Sequence, residues 1–549
     1  MARGNTSVGL KVAEVCKKNC GALIPATALD SRIRLQVTRV RSALEQQVLP
    51  KLRSLESILQ PINRLPKDIF ILIPRFFTNK KYDWNAFPMN KPLITMTHVC
   101  RSWRNVLLST PSLWTQLDFA TRDSKQAKGF LRRSGDLLLD VHEYLEDDDN
   151  VEPFLSTTLH NIHRLRRLDL NSCLQHLERV LTQFTRPAPE LKHLQIENDP
   201  NITDRDMKLP RTIFGGRLPK LTSLSLINIR TNLRELNLPS LTQFDFTTGT
   251  NISVRDLMSF FERCPLLELI KLSLSYEPQL PIAPPPKRVR LPALKELRLD
   301  QTASASGILD HLTLPKCTEV LLKGQFTGEK FDQYGNPAAR IHPSSIDHLP
   351  VMRGITKAVA TPNSCVFSGP NGNLRFWCFD GARKDFNGEF FSSFSPISIS
   401  GIRELLVGQR TESYSSNHRR PWKQTAARVH GAFGVLTKVE DLTIVSCEMA
   451  PFFATLGATV DGVALLPGLR RLTIYVGCGD LDISALIQCA KARLECSRPL
   501  GKVAITFENE PGADVIREVE SLRKLVGELD YRIDVTPELQ RGDKNSEPW

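Results

Sequence analysis

The stretch Pro292-Ala-Leu-Lys-Glu-Leu-Arg-Leu299 decides the fold, because its pattern of one proline and three spaced apolar residues recurs along the chain. Further copies with the proline begin at Pro189, Pro219, Pro239, Pro265, Pro315 and Pro467. Copies without it begin at Leu165, Ile402 and Val439. Proline is tolerated at the first residue of a strand, and alternating apolar residues place one strand face in a core. Each copy therefore predicts a short strand.

The spacing of the copies predicts how these strands assemble. The first apolar positions lie at 165, 191, 221, 241, 267, 294 and 317, at intervals of 20 to 30 residues. This matches the period of leucine-rich repeats, in which each unit buries its apolar face only by stacking on its neighbours. We expect an α/β chain in which residues 119–540 form a leucine-rich-like repeat solenoid. An irregular insertion is expected near 323–430, with strands near Cys365–Phe367 and Leu374–Phe379. A closing helix is expected over 513–530, with Val515, Val519, Leu522 and Val526 facing inward.

The N-terminal part has a different pattern. Residues 1–28 lack periodicity and predict a mobile arm. Over 29–62 an amphipathic helical segment is indicated, with one apolar face and a break at Pro50, which a helix interior does not accommodate. The apolar face consists of Ile33, Val37, Val40, Leu44 and Val48. This face either packs on the same chain, the interpretation we favour, or joins a partner in a coiled coil.

Composition excludes several classes of protein. The chain has 549 residues, of which 41% are hydrophobic and 24% charged, so it is not globally disordered. No run approaches the roughly 20 apolar residues that cross a bilayer, and no apolar signal segment opens the chain. We therefore expect no membrane association and a location in the cytoplasm or nucleus. The 12 cysteines form no C-x-x-C pair, which argues against a zinc ribbon or a disulfide framework.

The sequence contains none of the catalytic motifs that we considered. It contains no phosphate-binding glycine loop, no G-x-S-x-G nucleophile turn and no H-E-x-x-H metal motif. We expect a protein that is not an enzyme, with no cofactor and no bound metal. The net charge of +13 would favour acidic partners, but the basic residues are dispersed, so nucleic acid is the least favoured partner.

Residues 63–118 contain the second informative motif. Leu65-Pro66-Lys-Asp68-Ile69 is followed by Thr97-His-Val-Cys-Arg-Ser-Trp-Arg104, and then by Ser109-Thr-Pro-Ser-Leu-Trp114. The helical spacing of Val99, Trp103, Val106 and Leu107 predicts a single amphipathic face. After Trp114, Thr115 to Phe119 predicts a first strand. This run resembles an F-box, and it is especially similar to the F-box-like proteins abundant in mushroom-forming fungi. The sequence departs from the commoner pattern at Pro74 and in the long stretch Asn79 to Lys91.

The resemblance implies a function for both parts of the chain. A small all-helical F-box-like domain would dock on the adaptor subunit of an SCF ubiquitin ligase, and through it on a cullin, while the repeats capture an unknown target protein. Carried over by motif, the adaptor-binding residues are Leu65, Pro66, Ile69, Val99 and Cys100. Trp103 is expected in the core of the F-box itself. The alternative is a ligase-independent repeat scaffold with a degenerate F-box, in which Leu65, Pro66 and Ile69 would be buried against residues 115–170.

The repeats also predict a target-binding surface. Residues that alternate with the buried leucines lie on the open face of the stacked strands, where contacts from many repeats add together. The candidate substrate-binding residues are Arg167, Asp169, His193, Gln195, Gln243, Asp245, Glu296, Arg298, Arg471, Thr473 and Tyr475. Asp441 and Thr443 belong to the same face. The other interpretation of each residue is a solvated position without a partner.

Overall fold

The chain forms two compact units, Met1–Leu137 and Leu138–Trp549, and each is described by itself. The computed structural model describes residues 31–52, 60–78, 91–118, 124–145, 148–198, 207–249, 252–274, 288–300, 305–324, 345–361, 364–378, 399–408, 426–445, 449–460, 463–476, 481–508 and 510–533. The predicted arm over 1–28 lies outside these residues. The division at Leu137 falls later in the chain than the domain boundary predicted at 118/119.

The first unit is mainly helical. Its elements are α1 Ser31–Ala43, α2 Lys67–Thr78, α3 Lys91–Thr97, α4 Arg101–Leu108, β1 Gln116–Asp118 and α5 Ser124–Arg133. Short 3-10 turns span Pro61–Arg64 and Pro111–Leu113. The strand predicted after Trp114 is present as β1.

The helix that starts at Ser31 extends beyond the expected break. A π-helical turn, Leu44–Val48, follows α1, and helical residues continue through Leu52. The prediction that the helix breaks at Pro50 is therefore wrong for the described residues. In an α-helix the proline ring collides with the carbonyl four residues earlier, here that of Gln46. Gln46 lies within the wider π turn, which relieves this clash.

Aromatic packing holds α2 against α4. The ring of Phe70 lies 4.8 Å from that of Trp103 in an edge-on arrangement, and both Phe70 and Leu107 are buried. The indole Nε1 of Trp103 donates a hydrogen bond to Asn63 Oδ1. Trp114 is buried as well, and its Nε1 donates to the carbonyl of Leu107 at 2.8 Å. Trp103 itself is half-buried, so these contacts place it at the edge of the core in which it was expected.

The block Thr97–Leu108 is not one helix. α3 ends at Thr97 and α4 begins at Arg101, with Cys100 as its N-terminal cap. Val99 lies in the connection and is exposed, so its predicted helical alignment with Trp103 is wrong. The physical reason is the cap: Cys100 has extended backbone dihedrals, which end the helical rotation between Val99 and Trp103.

The second unit is a mixed α/β structure built on one large sheet, which confirms the predicted α/β class. The strands of this sheet are β2 Leu139–Leu145, β3 Leu165–Ser172, β4 His193–Asn198, β6 Ser223–Ile227, β8 Gln243–Thr248, β9 Leu269–Leu274, β11 Glu296–Asp300, β13 Glu319–Gly324, β14 Lys357–Ala360, β15 Ser364–Gly369, β16 Gly372–Cys378, β17 Glu404–Gly408, β18 Asp441–Val445, β21 Arg471–Val476, β22 Lys502–Phe507 and β23 Glu528–Ile533. Short additional pairs are β5 Met207–Lys208 with β7 Ile229–Arg230, β10 Val289–Arg290 with β12 Leu312–Thr313, and β19 Thr459–Val460 with β20 Val463–Ala464.

Helices connect many of these strands. They are α6 Asp148–His160, α7 Leu174–Gln183, α8 Val254–Glu262, α9 Ala305–Leu309, α10 Ala426–Val435, α11 Ala450–Gly457, α12 Ile483–Glu495 and α13 Ala513–Ser521. The α8 helix buries Leu257, Phe260 and Phe261, and Phe260 lies 4.8 Å from Phe244 of β8. Apolar helix faces thus cover the buried face of the sheet.

The strands pair in parallel and largely in chain order. From β2 each strand pairs with the next along the series β3, β4, β6, β8, β9, β11 and β13. A second parallel series runs through β17, β18, β21, β22 and β23. The predicted apolar positions coincide across neighbours and are buried. One such row consists of Leu168, Leu194, Leu224, Phe244, Ile270, Leu297 and Val320.

The irregular region near 323–430 contributes strands to the same sheet. β16 pairs in parallel with β13, and β14 pairs in parallel with β17, while β15 lies antiparallel between them. Strands had been predicted near Cys365–Phe367 and Leu374–Phe379, and the described part of both is extended. The two parallel series are therefore joined through a three-stranded antiparallel element.

The C-terminal end of the described chain differs from the prediction. α13 ends at Ser521, a short 3-10 turn covers Leu522–Lys524, and β23 follows at Glu528. The helix expected over 513–530 is therefore too long. Of the four residues expected to face inward, Val519, Leu522 and Val526 are buried, and Val515 is half-buried. The turn after Ser521 lets the chain add β23 to the edge of β22, which pairs backbone groups that a longer helix would leave exposed.

Candidate functional site

The first candidate surface is an exposed apolar row on the first unit. Leu65, Ile69, Leu72 and Phe76 are spaced by four, three and four residues, which places them along one side of α2 and the turn before it. Their exposed fractions range from 38% to 71%. Phe70 and Pro74 are buried on the other side of the same helix. We call Leu65, Ile69, Leu72 and Phe76 the α2 row.

The predicted adaptor-binding residues occupy two places. Leu65, Pro66 and Ile69 lie together at the start of α2, and all three are exposed. Val99 is also exposed, immediately before α4. Cys100 is half-buried, and its Sγ accepts a hydrogen bond from the Trp103 amide at 3.5 Å. Cys100 thus caps α4, and its thiol already has a partner within the unit.

Two residues of the α2 row were missed in the sequence. Leu72 and Phe76 follow Ile69 at the helical spacing of three and seven residues, so the periodicity itself contained the signal. The run Ile69 to Phe77 is apolar almost throughout, which hid the division into a buried side and an exposed side.

The second candidate surface is the polar face of the sheet. Side chains that alternate with the buried rows form two further rows across neighbouring strands. The first polar row contains Arg167, His193, Ser223, Gln243, Leu269 and Glu296. The second contains His142, Asp169, Gln195, Ser225, Asp245, Lys271 and Arg298. Eight of the eleven predicted substrate-binding residues therefore lie on one continuous face.

The other three predicted residues lie farther along the sheet. Arg471 pairs in register with Asp441, and Thr473 with Thr443, on β21 and β18. Tyr475 lies on the same strand and is half-buried. The strands β13 to β17 separate this group from the first eight residues in the order of the sheet. The structure thus resolves the prediction into two groups.

Ion pairs connect adjacent strands on this face. Arg166 holds Asp140 with two hydrogen bonds, of 2.8 and 2.6 Å. Lys271 Nζ lies 3.1 Å from Asp245 Oδ2, and Arg471 lies 3.2 Å from Asp441 Oδ2. Arg375 likewise pairs with Glu319 of the neighbouring strand, whereas Arg298 pairs with Glu296 within β11. Most charges on this face are therefore matched within the protein.

Asp169 is the buried centre of this network. It was expected on the open surface, but His142 Nδ1 and Arg167 Nε each lie 3.0 Å from its Oδ2 and cover it. β2 supplies His142, and the sequence pattern had not predicted that strand. Burial disfavours the charged carboxylate, yet the hydrogen bond from His142 and the charges of His142 and Arg167 hold the pKa of Asp169 below its usual value.

Two other groups on the face have shifted protonation equilibria. Burial is the main cause that lowers the pKa of His193, and the neighbouring Arg167 acts in the same direction. Burial raises the pKa of Asp300, although the charges of Lys323, Lys271 and Arg298 oppose the shift. Burial thus raises the pKa of both carboxylates, but at Asp169 the hydrogen bonds from His142 and Arg167 and their charges outweigh it, so the net shifts of Asp169 and Asp300 are opposite.

An apolar patch in the middle of the face was also missed. The register of the second polar row continues from Arg298 to Leu321 and Arg375. It then passes through three apolar residues, Val366, Val359 and Leu406. Trp377 lies beside Lys323 and Ser364, and 43% of its surface is exposed. The alternation Leu374-Arg-Phe-Trp377 was the available signal, but this region lacks the leucine spacing of the repeats.

Both surfaces suit contact with another protein. The α2 row offers clustered aliphatic and aromatic side chains, and the sheet offers matched charges around Trp377 and Arg375, residue types that dominate binding energy at interfaces. Among the described residues, no helix is both long enough and apolar enough to cross a membrane. No protein-family model matches the sequence, and no curated protein matches it at a significant level.

Proposed function

We propose that this chain is the substrate-recognition subunit of an SCF cullin-type ubiquitin ligase. The first unit would act as an F-box that docks on the adaptor subunit through the α2 row, and the second unit would hold the target protein. On this proposal the chain itself performs no catalysis; it brings the target near the ligase.

The α2 row is the observation that carries the proposal. Helix α2 is apolar on two sides, but only the side with Phe70 and Pro74 is buried. An exposed, contiguous apolar surface is unfavourable in water and marks an interaction site. Leu65, Pro66 and Ile69, which the F-box resemblance assigns to the adaptor, lie at the start of this surface. The scaffold alternative requires these residues to be buried, so their exposure supports the ligase role.

We further propose that the second unit is a leucine-rich-repeat solenoid. The same backbone hydrogen bond recurs before successive strands, from an amide in one unit to the equivalent carbonyl of the preceding unit. Examples are Lys192 to Arg166 at 2.8 Å, Thr222 to Lys192 at 2.9 Å, and Lys295 to Glu268 at 2.8 Å. A repeated bond at an equivalent position is typical of stacked repeats, because each unit meets its neighbour in the same way.

The target would bind on the polar face of the sheet. We place the centre of this contact at Trp377, with Arg375 and Leu321 beside it, because a partly exposed tryptophan next to an arginine is typical of a binding hot spot. The predicted residues from Arg167 to Arg298 would extend the contact along one side. The ion pairs among these residues are already formed within the protein. The residues would therefore influence the orientation of the bound target more than its affinity.

Titration of the purified full-length protein with the purified adaptor subunit tests the docking step. We expect a one-to-one complex in calorimetry and gel filtration, and a loss of affinity of at least tenfold for a Leu65→Ala, Pro66→Ala double variant. Leu137→Ala is the matched control, because Leu137 is also exposed in the first unit but lies outside the α2 row. A folded wild-type protein that forms no complex would contradict the proposal and favour the scaffold role.

A further inference from the structure

A second exposed apolar surface lies on the N-terminal helix, outside the α2 row. It consists of Val37, Val40, Leu44, Val48 and Leu52, which we call the α1 seam. The exposed fractions of these side chains range from 43% to 60%. The expectation that this face packs on the same chain is therefore not met by the described residues. Because burial of such side chains releases free energy, an exposed seam favours a partner.

The backbone keeps the α1 seam on one face. Its residues are separated by 3, 4, 4 and 4 positions, one residue more than the alternation of 3 and 4 typical of a coiled-coil seam. In a left-handed coiled coil, where the seam follows 3.5 residues per turn, the extra residue would rotate Val48 and Leu52 away from Val37. The π turn at Leu44–Val48, closed by a hydrogen bond from the Leu49 amide to the Leu44 carbonyl, takes up one additional residue. The turn thus restores the alignment.

The positive charge of the helix that carries the α1 seam favours an acidic partner. Residues 31–52 contain five basic residues, Arg32, Arg34, Arg39, Arg41 and Lys51, against the single acidic residue Glu45. Arg41 follows a seam residue directly, and 77% of its side chain is exposed. Its ion pair with Glu45 is exposed as well, so it neutralises little of this charge. A second copy of the chain would bring a helix of the same positive sign.

The width of the seam favours a partner helix over a lipid surface. Two apolar positions per heptad form a narrow strip that fits one partner helix, whereas a helix that lies on a lipid surface presents a broader apolar face. Residues 31–52 also contain no aromatic residue of the kind that anchors such helices.

We propose that the α1 seam binds an acidic amphipathic helix of another protein, in a short two-stranded coiled coil. The apolar residues would provide the buried contact, and Arg39 and Arg41 would select acidic flanking residues on the partner. This inference does not depend on adaptor binding, because it uses a different helix and different residues.

The full-length protein and two synthetic helices test the proposal. Both peptides have 22 residues with leucine at the seam positions; one has glutamate at every flanking position and the other has lysine. Fluorescence anisotropy should show that the glutamate peptide binds at least tenfold more tightly at low salt, and that this preference decreases at 1 M salt. Equal affinity for the two peptides would overturn the proposal.

Substitutions distinguish binding through the α1 seam from nonspecific hydrophobic binding. Val40→Ala with Leu44→Ala should weaken binding of the glutamate peptide at least tenfold, whereas Leu35→Ala should not, because Leu35 is an equally exposed residue outside the seam. Alanine preserves helix propensity, so loss of the helix does not explain the result. Arg39→Glu with Arg41→Glu should reverse the preference toward the lysine peptide.

Two other occupants give distinct results. A dimer in light scattering that Val40→Ala with Leu44→Ala dissociates would assign the seam to a second copy of the chain. Binding to vesicles of phosphatidylserine and phosphatidylcholine, without binding to either peptide, would assign it to a lipid surface. Either result would contradict the proposal.

Discussion

Phe70 and Trp103 meet edge-on, with ring centroids 4.8 Å apart and ring planes at 64°. Through this contact one side of α2 packs in the core of the first unit, while Ile69 on another side of the same helix is exposed to solvent. One helix therefore carries both a structural face and an exposed apolar face. This division gives separate expectations for stability and for binding.

Phe70→Ala should unfold or strongly destabilise the first unit, by about 3 to 5 kcal/mol, because it leaves a cavity beside Trp103. Ile69→Ala should change stability by less than about 1 kcal/mol, since the side chain is exposed, but it should weaken adaptor binding. Urea unfolding followed by tryptophan fluorescence measures the first effect. Similar destabilisation by both substitutions would show that Ile69 is part of the core.

Gly372→Ala should destabilise the second unit by more than about 2 kcal/mol, because the backbone there is strained for any residue with a Cβ. Gly372 has a φ of +128°, and an added Cβ would lie 2.0 Å from the carbonyl oxygen of Thr318, the residue just before β13. Gly434→Ala in α10 is the control, because nothing lies within 4 Å of its added Cβ. It should be neutral or stabilising by up to about 1 kcal/mol. Chemical unfolding that ranks the two variants in the opposite order would contradict the pairing of β13 with β16.

Asp169 and Asp300 should influence stability in opposite ways as pH changes. The pKa of Asp169 is lowered in the folded state, so its stabilising contribution is present above its unfolded pKa, near 3.8, and disappears as pH falls through the folded value. Asp169→Asn should therefore cost about 2 kcal/mol at pH 7 and progressively less in acid. Thermal unfolding between pH 3 and pH 7 measures the difference.

The pKa of Asp300 is raised in the folded state, so the fold favours its protonated form. Its contribution is present below the unfolded pKa and disappears as pH rises through the folded value. Asp300→Asn should hence increase the melting temperature at pH 7 and leave it nearly unchanged at pH 3. A decrease at pH 7 would show that its charged form is well paired.

Arg493→Met should destabilise the second unit by about 3 kcal/mol or more. The buried guanidinium donates hydrogen bonds to three backbone carbonyls, those of Leu456 at 3.3 Å, Leu465 at 2.8 Å and Leu466 at 3.0 Å. Methionine fills a similar volume but leaves these carbonyls without a donor. Arg498→Met, at an exposed position just after α12, is the control and should change the melting temperature little. An unchanged melting temperature for Arg493→Met would contradict the structural role of the arginine.

The sequence pattern located the strands where it was regular. The spacing of residues such as Leu194 and Ile196 predicted both the strands and their buried sides, because burial on one face imposes a period of two. The pattern failed at β2, where Glu143 occupies a position that leucine and isoleucine fill in β3 and β4. The repeat spacing is absent from β14, β15 and β16, because antiparallel pairing does not require it; strands were predicted at β15 and β16 but not at β14.

The candidate sites were only partly predictable for a related reason. Periodicity identifies which residues share a face, but not which face another element covers. Asp169 was therefore assigned to the open surface although His142 covers it, and the helix α1 was expected to pack on its own chain. The π turn before Pro50 depends on a local departure from helical geometry that propensity alone does not indicate.

Docking of the adaptor on the α2 row can be measured by hydrogen exchange of the full-length protein, with and without the SCF adaptor subunit. Binding should slow exchange in residues 65–78 and next to Val99, while amides in β3 and β4 remain unchanged. Ile69→Ala should reduce this protection, and Leu137→Ala should not. Adaptor that binds without protecting α2, or that leaves exchange unchanged everywhere, would contradict the assignment of the α2 row as the docking surface.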